Sequence, residues 1–200
     1  YNNDIGDVTK SPGWRFFEKT KVTIPTDEAI IFQFNVNTVN RFMHLFVPPG
    51  IEREYTKALA PPTREAKNGY DEKKTQVLAI RQQGEAWKRP FTLVLEPTIG
   101  KSTSVKSVNQ IVLKGNQVGT KVVSEVDGGA ITDYIFCNDD SRTIELPEYN
   151  ITFNGRFGIV RHEALSNIIT LYIGDGTSLQ YKSNKLSLQT EHKGIKTFQL

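Results

Sequence analysis

Tyr149-Asn-Ile-Thr-Phe-Asn-Gly-Arg-Phe-Gly-Ile-Val-Arg-His162 decides the reading of this chain. Asn154-Gly155 stands between two β-prone runs and supplies the two positive-φ residues that a type I′ hairpin turn needs. Ile151 and Phe153 alternate with Thr152 before it. Phe157 and Ile159 share one face after it, with Gly158 and Val160 on the other. Downstream, Ile168-Ile-Thr-Leu-Tyr-Ile173, Gly174-Asp-Gly176 and Ser178-Leu-Gln-Tyr181 read as a second hairpin with a short glycine-containing loop. The C-terminal part, from Ala130 to Leu200, is therefore expected to be an antiparallel meander.

Working outward, residues 14–17 and 21–24 read as a first strand pair or one bent strand, stopped by Pro25. Ile30, Phe32, Phe34 and Val36 alternate with polar partners, the mark of a strand with one buried face. Residues 41–47 are apolar on both faces and read as a central, doubly covered strand. Residues 48–74 are polar, charged and proline-bearing, and read as a long loop or flap with room for a short helix at 53–59. Strands resume at 75–80 and 90–95, and again at 105–113, 118–126 and 130–137. Turns are expected at 96–100, 114–117, 127–129 and 138–141. Leu186, Leu188, Ile195 and Phe198 belong to closing edge strands. About a dozen short strands with almost no helical periodicity predict an all-β chain, an antiparallel β-sandwich or two stacked sheets. The expected organisation is one domain over 1–200, with a sub-boundary near 97–104.

The 25 basic and 22 acidic residues nearly balance, which argues against nucleic acid, where a clustered basic face is expected. An acidic polysaccharide remains compatible as a partner. One cysteine, Cys137, rules out an intrachain disulfide and a multi-cysteine metal site. Lying in Tyr134-Ile-Phe-Cys137, it reads as a small buried hydrophobe. No run reaches the roughly 20 apolar residues of a membrane helix. The chain starts without Met or a signal peptide, so it reads as a processed product or an excised piece with a loose first few residues.

The histidines, His44, His162 and His192, show no metal-ligand spacing, and neither metal nor cofactor is expected. His44 alternates with Phe42 and Phe46 and reads as a histidine near the core; His162 reads as a solvated strand end, and His192 as part of a polar turn. Asp71-Glu72 and Asp139-Asp140 fit turns that cap their own backbone. Gly174-Asp-Gly-Thr177 lacks the lysine and helix of a phosphate loop, and no serine sits in a Gly-x-Ser-x-Gly elbow. No catalytic residue is assigned. Aromatic residues in loops and at strand ends offer faces for sugars, and cations beside them can pair a carboxylate or sulfate. The carbohydrate-contact candidates are Trp87, Lys88, Arg89, Tyr70 and His44. Against them stands the ordinary use of aromatic residues in β cores. Asn150-Ile-Thr152 matches a glycosylation sequon.

Ile131-Thr-Asp-Tyr-Ile-Phe-Cys-Asn-Asp-Asp140, Phe153-Asn-Gly-Arg-Phe-Gly-Ile-Val-Arg161 and Leu171-Tyr-Ile-Gly-Asp-Gly-Thr177 together resemble the C-terminal β-region of heparinase II/III-type polysaccharide lyases. Residues 14–17, 42–48 and 75–81 fit the same rhythm. The resemblance implies β-elimination on an acidic polysaccharide, such as a glycosaminoglycan, by a parent whose catalytic groups come largely from a preceding helical toroid. The sequence shows no repeated long amphipathic helices, so no catalytic residue is carried over. The leading expectation is a non-catalytic C-terminal β-sandwich of a secreted or periplasmic bacterial lyase, packing on the toroid and shaping one wall of its cleft. The alternative is a stand-alone carbohydrate-binding or surface-adhesion module. A third reading is a complete enzyme using His44 or His162 beside a tyrosine.

Overall fold

The computed structural model describes residues 12–35, 39–62, 74–86, 88–190 and 193–199. These residues form β1 (Glu18–Val22), β2 (Ile30–Asn35), β3 (Arg41–Val47), β4 (Arg53–Ala60), β5 (Thr75–Gln82), β6 (Val94–Ile99) and β7 (Val105–Leu113). They continue as β8 (Asn116–Val126), β9 (Gly129–Leu146), β10 (Ile151–Glu163), β11 (Ile168–Tyr181), β12 (Asn184–Ser187) and β13 (Gly194–Gln199). The all-β expectation holds among the described residues, which form three antiparallel sheets. The chain divides into two compact units, residues 1–27 with 51–83, and residues 28–50 with 84–200.

The second unit holds the largest sheet, ordered β12-β11-β10-β9-β8-β7 with β13 also on β11. Neither expected tight hairpin exists within it. Asn154-Gly155 lies inside β10, and Gly174 to Gly176 inside β11; the two strands pair from Ile151↔Tyr181 to Glu163↔Ile168. At their middle the register shifts three times, leaving Thr177, Arg156 and Gly174 as extra residues. These are β-bulges, which bend a strand and increase its twist. Gly155 and Gly176 face each other with φ of 157° and 156°. A Cβ on Gly155 would stand 2.6 Å from Gly176 Cα, and one on Gly176 2.5 Å from the Asn154 carbonyl oxygen. The Asn-Gly signal is thus satisfied by a bulge rather than a reversal. Residues 138–141, expected as a turn, likewise lie within β9, as a bulge opposite Arg156. Arg142 closes that bulge, reaching Asn138 Oδ1 at 3.0 Å and Asp139 Oδ1 at 3.1 Å.

The bend folds one sheet face onto itself. Both halves of β9 (Tyr134, Phe136 and Ile144, Leu146), of β10 (Ile151, Phe153 and Val160) and of β11 (Ile169, Leu171, Ile173 and Leu179, Tyr181) meet in one apolar cluster. Phe136 and Phe153 stack at 5.4 Å and are fully buried. Each fully buried side chain of this kind contributes about 1.5–3 kcal/mol relative to exposure. Strand alternation then points Cys137, next to Phe136, outward; it is exposed, correcting the buried reading.

The same unit contains the three-stranded sheet β2-β3-β6. Central β3 is buried almost throughout, as its doubly apolar sequence requires. Phe46 of β3 and Val94 of β6 pack on Val105, Val108, Val122 and Ile135 of the large sheet's outer face. β6 is displaced from the expected 90–95: Glu96 and Pro97 lie inside it rather than in a turn.

The first unit is the sheet β1-β4-β5. Residues 53–60, expected within a flap or as a short helix, form β4, paired residue by residue with β5. Tyr55 and Thr56 favour a strand, and the cross-strand ion pair Glu54–Arg81, 2.7 Å, absorbs charges that make the stretch look loop-like. The rest of that expected flap, 63–73, lies outside the described residues, as does Val36. Residues 12–16 form a 3₁₀ turn rather than a strand, with Trp14 stacked on Phe17 at 4.3 Å.

Gly176→Ala is expected to destabilise the chain by about 2–3 kcal/mol through backbone strain, lowering the melting midpoint by roughly 5–10 °C for a chain of this size. Gly13→Ala, with nothing within 4 Å of its Cβ position, should melt like the wild type. Calorimetric or circular-dichroism melts of both variants check this.

Candidate functional site

Of the residues expected to meet carbohydrate, Lys88, Arg89 and His44 lie among the described residues. Trp87 and Tyr70 lie outside the described residues. Lys88 and Arg89 close a short turn, their backbone N–H groups donating to Glu85 O at 3.1 and 2.9 Å, while Lys88 Nζ pairs with Glu85 at 2.9 Å. His44 is 2% exposed in β3. Thr98 donates its hydroxyl proton to Gly100 O at 2.7 Å, so His44 Nε2 is the protonated nitrogen and donates to Thr98 Oγ1 at 3.0 Å. A histidine so enclosed cannot touch a glycan. Its cross-strand neighbour Glu96 accepts from Ser104 N and Oγ, both 2.7 Å, and from Val105 N. Burial works against its charge, but these donors outweigh it and hold its pKa below the usual value.

His162 is the other histidine with a candidate chemical role. The fold brings its Nδ1 to 3.5 Å from the Tyr181 hydroxyl, at the end where the folded sheet's two halves meet. Tyr134 lies between Tyr149 and Tyr181, with ring centroids 5.4 and 5.9 Å away, and Lys121 Nζ covers both Tyr134 and Tyr149. Burial, reinforced by its tyrosine neighbours, pushes Tyr134 up to about 12. A phenol at that value keeps its proton at neutral pH and is a poor general base. Burial first, and Lys182 second, hold His162 below its ordinary 6.5. This cluster closes the end of the core, and Tyr134 and Tyr181 are both buried.

A different place is open to a ligand. On the large sheet's outer face, Asp133, Ile135, Ile159, Arg161, Thr170 and Tyr172 line a shallow depression of about 300 Å³. Two rungs of the ladder build it: Asp133↔Arg161↔Thr170 and Ile135↔Ile159↔Tyr172. Because side chains alternate, all six point the same way, opposite Tyr134, Val160 and Leu171. Arg161 grips Asp133 through two parallel bonds, Nε to Oδ1 at 2.8 Å and Nη2 to Oδ2 at 2.9 Å. Asp133 is the enclosed partner, at 13% side-chain exposure, against 50% for the Arg161 side chain. That bonding, opposed by partial burial, raises the Arg161 pKa further. Phe157 meets Tyr172 edge-on at 6.0 Å and 75°. Gly174 leaves the room for this, since a Cβ there would stand 3.1 Å from Tyr172 Cε1 and clash with Phe157. Among the described residues no His, Cys, Asp and Glu group could hold a metal ion, and no helix is long and apolar enough to cross a membrane.

Comparison with known proteins follows the sheet that carries this face. Residues 105–198 match the family model described as the endo-acting ulvan lyase C-terminal domain. Over 199 residues, 99% of the chain, it is 49% identical to an endo-acting ulvan lyase of Formosa agariphila. The likeness is to the C-terminal region of a polysaccharide lyase. The chain spans 24% of the length of that relative. The resemblance seen in the sequence therefore holds at the level of a polysaccharide lyase's C-terminal β-region, the matched model and relative both being described as ulvan lyases. No solved structure matches the chain significantly.

Because the folded-state pKa of His162 is depressed, the unfolded chain binds the extra proton first. Stability should be full above about pH 6.5 and decline as pH falls below it. Melting midpoints from pH 7.5 to 5 are expected to fall less for His162→Gln than for wild type.

Proposed function

We propose that the chain is the C-terminal β-module of a secreted or periplasmic polysaccharide lyase acting on ulvan, and that the module shapes one wall of the parent's substrate cleft without supplying the catalytic base. The observation carrying this reading is the 49% identity across nearly the whole chain to a named endo-acting ulvan lyase. β-Elimination on a uronate needs a base for the proton α to the carboxyl and a group to neutralise that carboxyl's charge. Tyr134 keeps its proton and His44 is enclosed, so neither of these supplies the base.

A second feature supports a module that docks on a larger body. In the three-stranded sheet, Phe32, Phe34, Met43, Leu95 and Ile99 share the face away from Phe46. On it Leu95 is 61% and Ile99 84% exposed. Contiguous apolar surface of this kind marks interaction sites. We assign its cover to the catalytic part of the parent, in the finer form of the proposal a helical toroid. Trp87, Lys88, Arg89 and Tyr70 stay in the proposal as loop contacts to the glycan; His44 does not.

The test is absorbance at the unsaturated-uronate band during incubation of the folded chain with ulvan, heparan sulfate, chondroitin and alginate. A flat trace is expected with every substrate, and a steady rise would overturn the non-catalytic assignment. In the Formosa agariphila enzyme, deletion of the corresponding segment should raise KM for ulvan; unchanged kinetics would remove the module from the cleft.

A further inference from the structure

We propose that the outer-face depression over β9, β10 and β11 is a subsite for an anionic pyranose unit, with Arg161 binding the sugar's carboxylate or sulfate and Tyr172 supporting its ring. The proposal rests on the polysaccharide reading above for the kind of ligand, and on the site's own geometry for its location.

The lining has the chemistry such a unit requires. Its volume of about 300 Å³ is at the lower end of small-ligand sites and suits one ring of a chain that continues past an open rim. Ile135 and Ile159 give an apolar floor for the C–H face of a sugar. Tyr172 adds an aromatic surface whose angle is fixed by Phe157 and by the absence of a side chain at Gly174. Thr170 Oγ1 and Thr197 Oγ1, 3.3 Å apart on paired strands, add hydroxyls at the edge.

Arg161 supplies the selectivity. A guanidinium has five N–H donors in a planar fork, and two of them hold Asp133. The clamp removes most of the side chain's rotational freedom, so the remaining donors stay in place, and half of the side chain remains in solvent. A planar carboxylate or a sulfate is the natural acceptor for such donors. Asp133 opposes an incoming anion, but it is the enclosed member of the pair. The anion therefore meets the outward edge of the guanidinium. The sheet β2-β3-β6 packs on this same outer face at Val105, Val108, Val122 and Ile135, and that cluster includes no residue of β10 or β11.

The test is titration calorimetry of the 200-residue chain with ulvan oligosaccharides and, as a neutral probe, a β-glucan oligosaccharide of equal length. Wild type should bind the charged probe, weakening as salt is raised, and bind the neutral probe at least tenfold more weakly. Tyr172→Ala should lose about tenfold in affinity for the charged probe while keeping the salt dependence, and Arg161→Gln should lose a similar factor together with most of that dependence. Removing Arg161 alone leaves Asp133 without its partner, so the double variant Asp133→Asn/Arg161→Gln is measured beside it, each checked by its melt. Lys106→Ala, remote from the lining, controls for loss of a surface charge. Unchanged binding in the Tyr172 and Arg161 variants overturns the subsite and leaves the lyase module standing. No binding by folded wild type also overturns the subsite, and the deletion in the parent enzyme then decides the module on its own.

Discussion

The structure depends on one backbone contact. Gly155 of β10 and Gly176 of β11 lie closer than any side chain allows, and the strands bend there. Without that bend the two halves of β9 to β11, with Phe136, Val160 and Leu171 in one and Phe153 and Leu179 in the other, would each leave an apolar face uncovered. Bent, one half of that face buries the other, and a single sheet makes its own core. The energy comes from apolar burial, but the geometry that makes burial available comes from two residues with no side chain.

The fold class was legible because alternation holds within each half of the bent strands, although in β10 the inward parity shifts by one at the extra residue Arg156, from Ile151 and Phe153 to Val160. Phe136 and Val160 face inward, and Ile135 and Ile159 outward, on the parity their sequences give. The turns at 114–117 and 127–129 were legible and close hairpins; the glycine-bearing bulges were not. Asn154-Gly155 and Gly174-Asp-Gly176 carry the backbone permissiveness a hairpin requires, and a bulge requires the same permissiveness. Only the pairing partner tells them apart, and that partner lies across the sheet. Residues 138–141 failed similarly: their polar character fits a turn and equally an outward bulge closed by Arg142. In β4, Arg53, Glu54 and Lys57 hid a strand whose charges are matched from β5 and by its own burial pattern.

The candidate site was only partly readable. Tyr172 stood out as an aromatic residue, but nothing local joined it to Arg161 or Asp133. The Arg161–Asp133 pair spans 28 positions and exists because β9 and β10 settle in one register. Counting parity along the 131–137, 157–161 and 168–173 runs would have placed all six lining residues on one face; choosing the rungs needed the pairing. His44 shows the converse. Its alternation with Phe42 and Phe46 already pointed to the core, and its enclosure beside Thr98 removes it from any surface role.

The glycine contact also acts as a register lock. A slip by one residue would bring Asn154 or Arg156 against Gly176, where there is no space for a Cβ, so only one alignment of β10 with β11 lets both halves close. Strands elsewhere rely on hydrophobic patterning for this discrimination; here a steric veto at the midpoint adds to it. The veto also couples the halves in time. Neither can bury its face until the midpoint is aligned and the far half has returned over it, and these contacts span long stretches of chain. Folding is therefore expected in the slow, millisecond-to-second range of β topologies dominated by distant contacts, with alignment at the glycines as the step that commits the sheet.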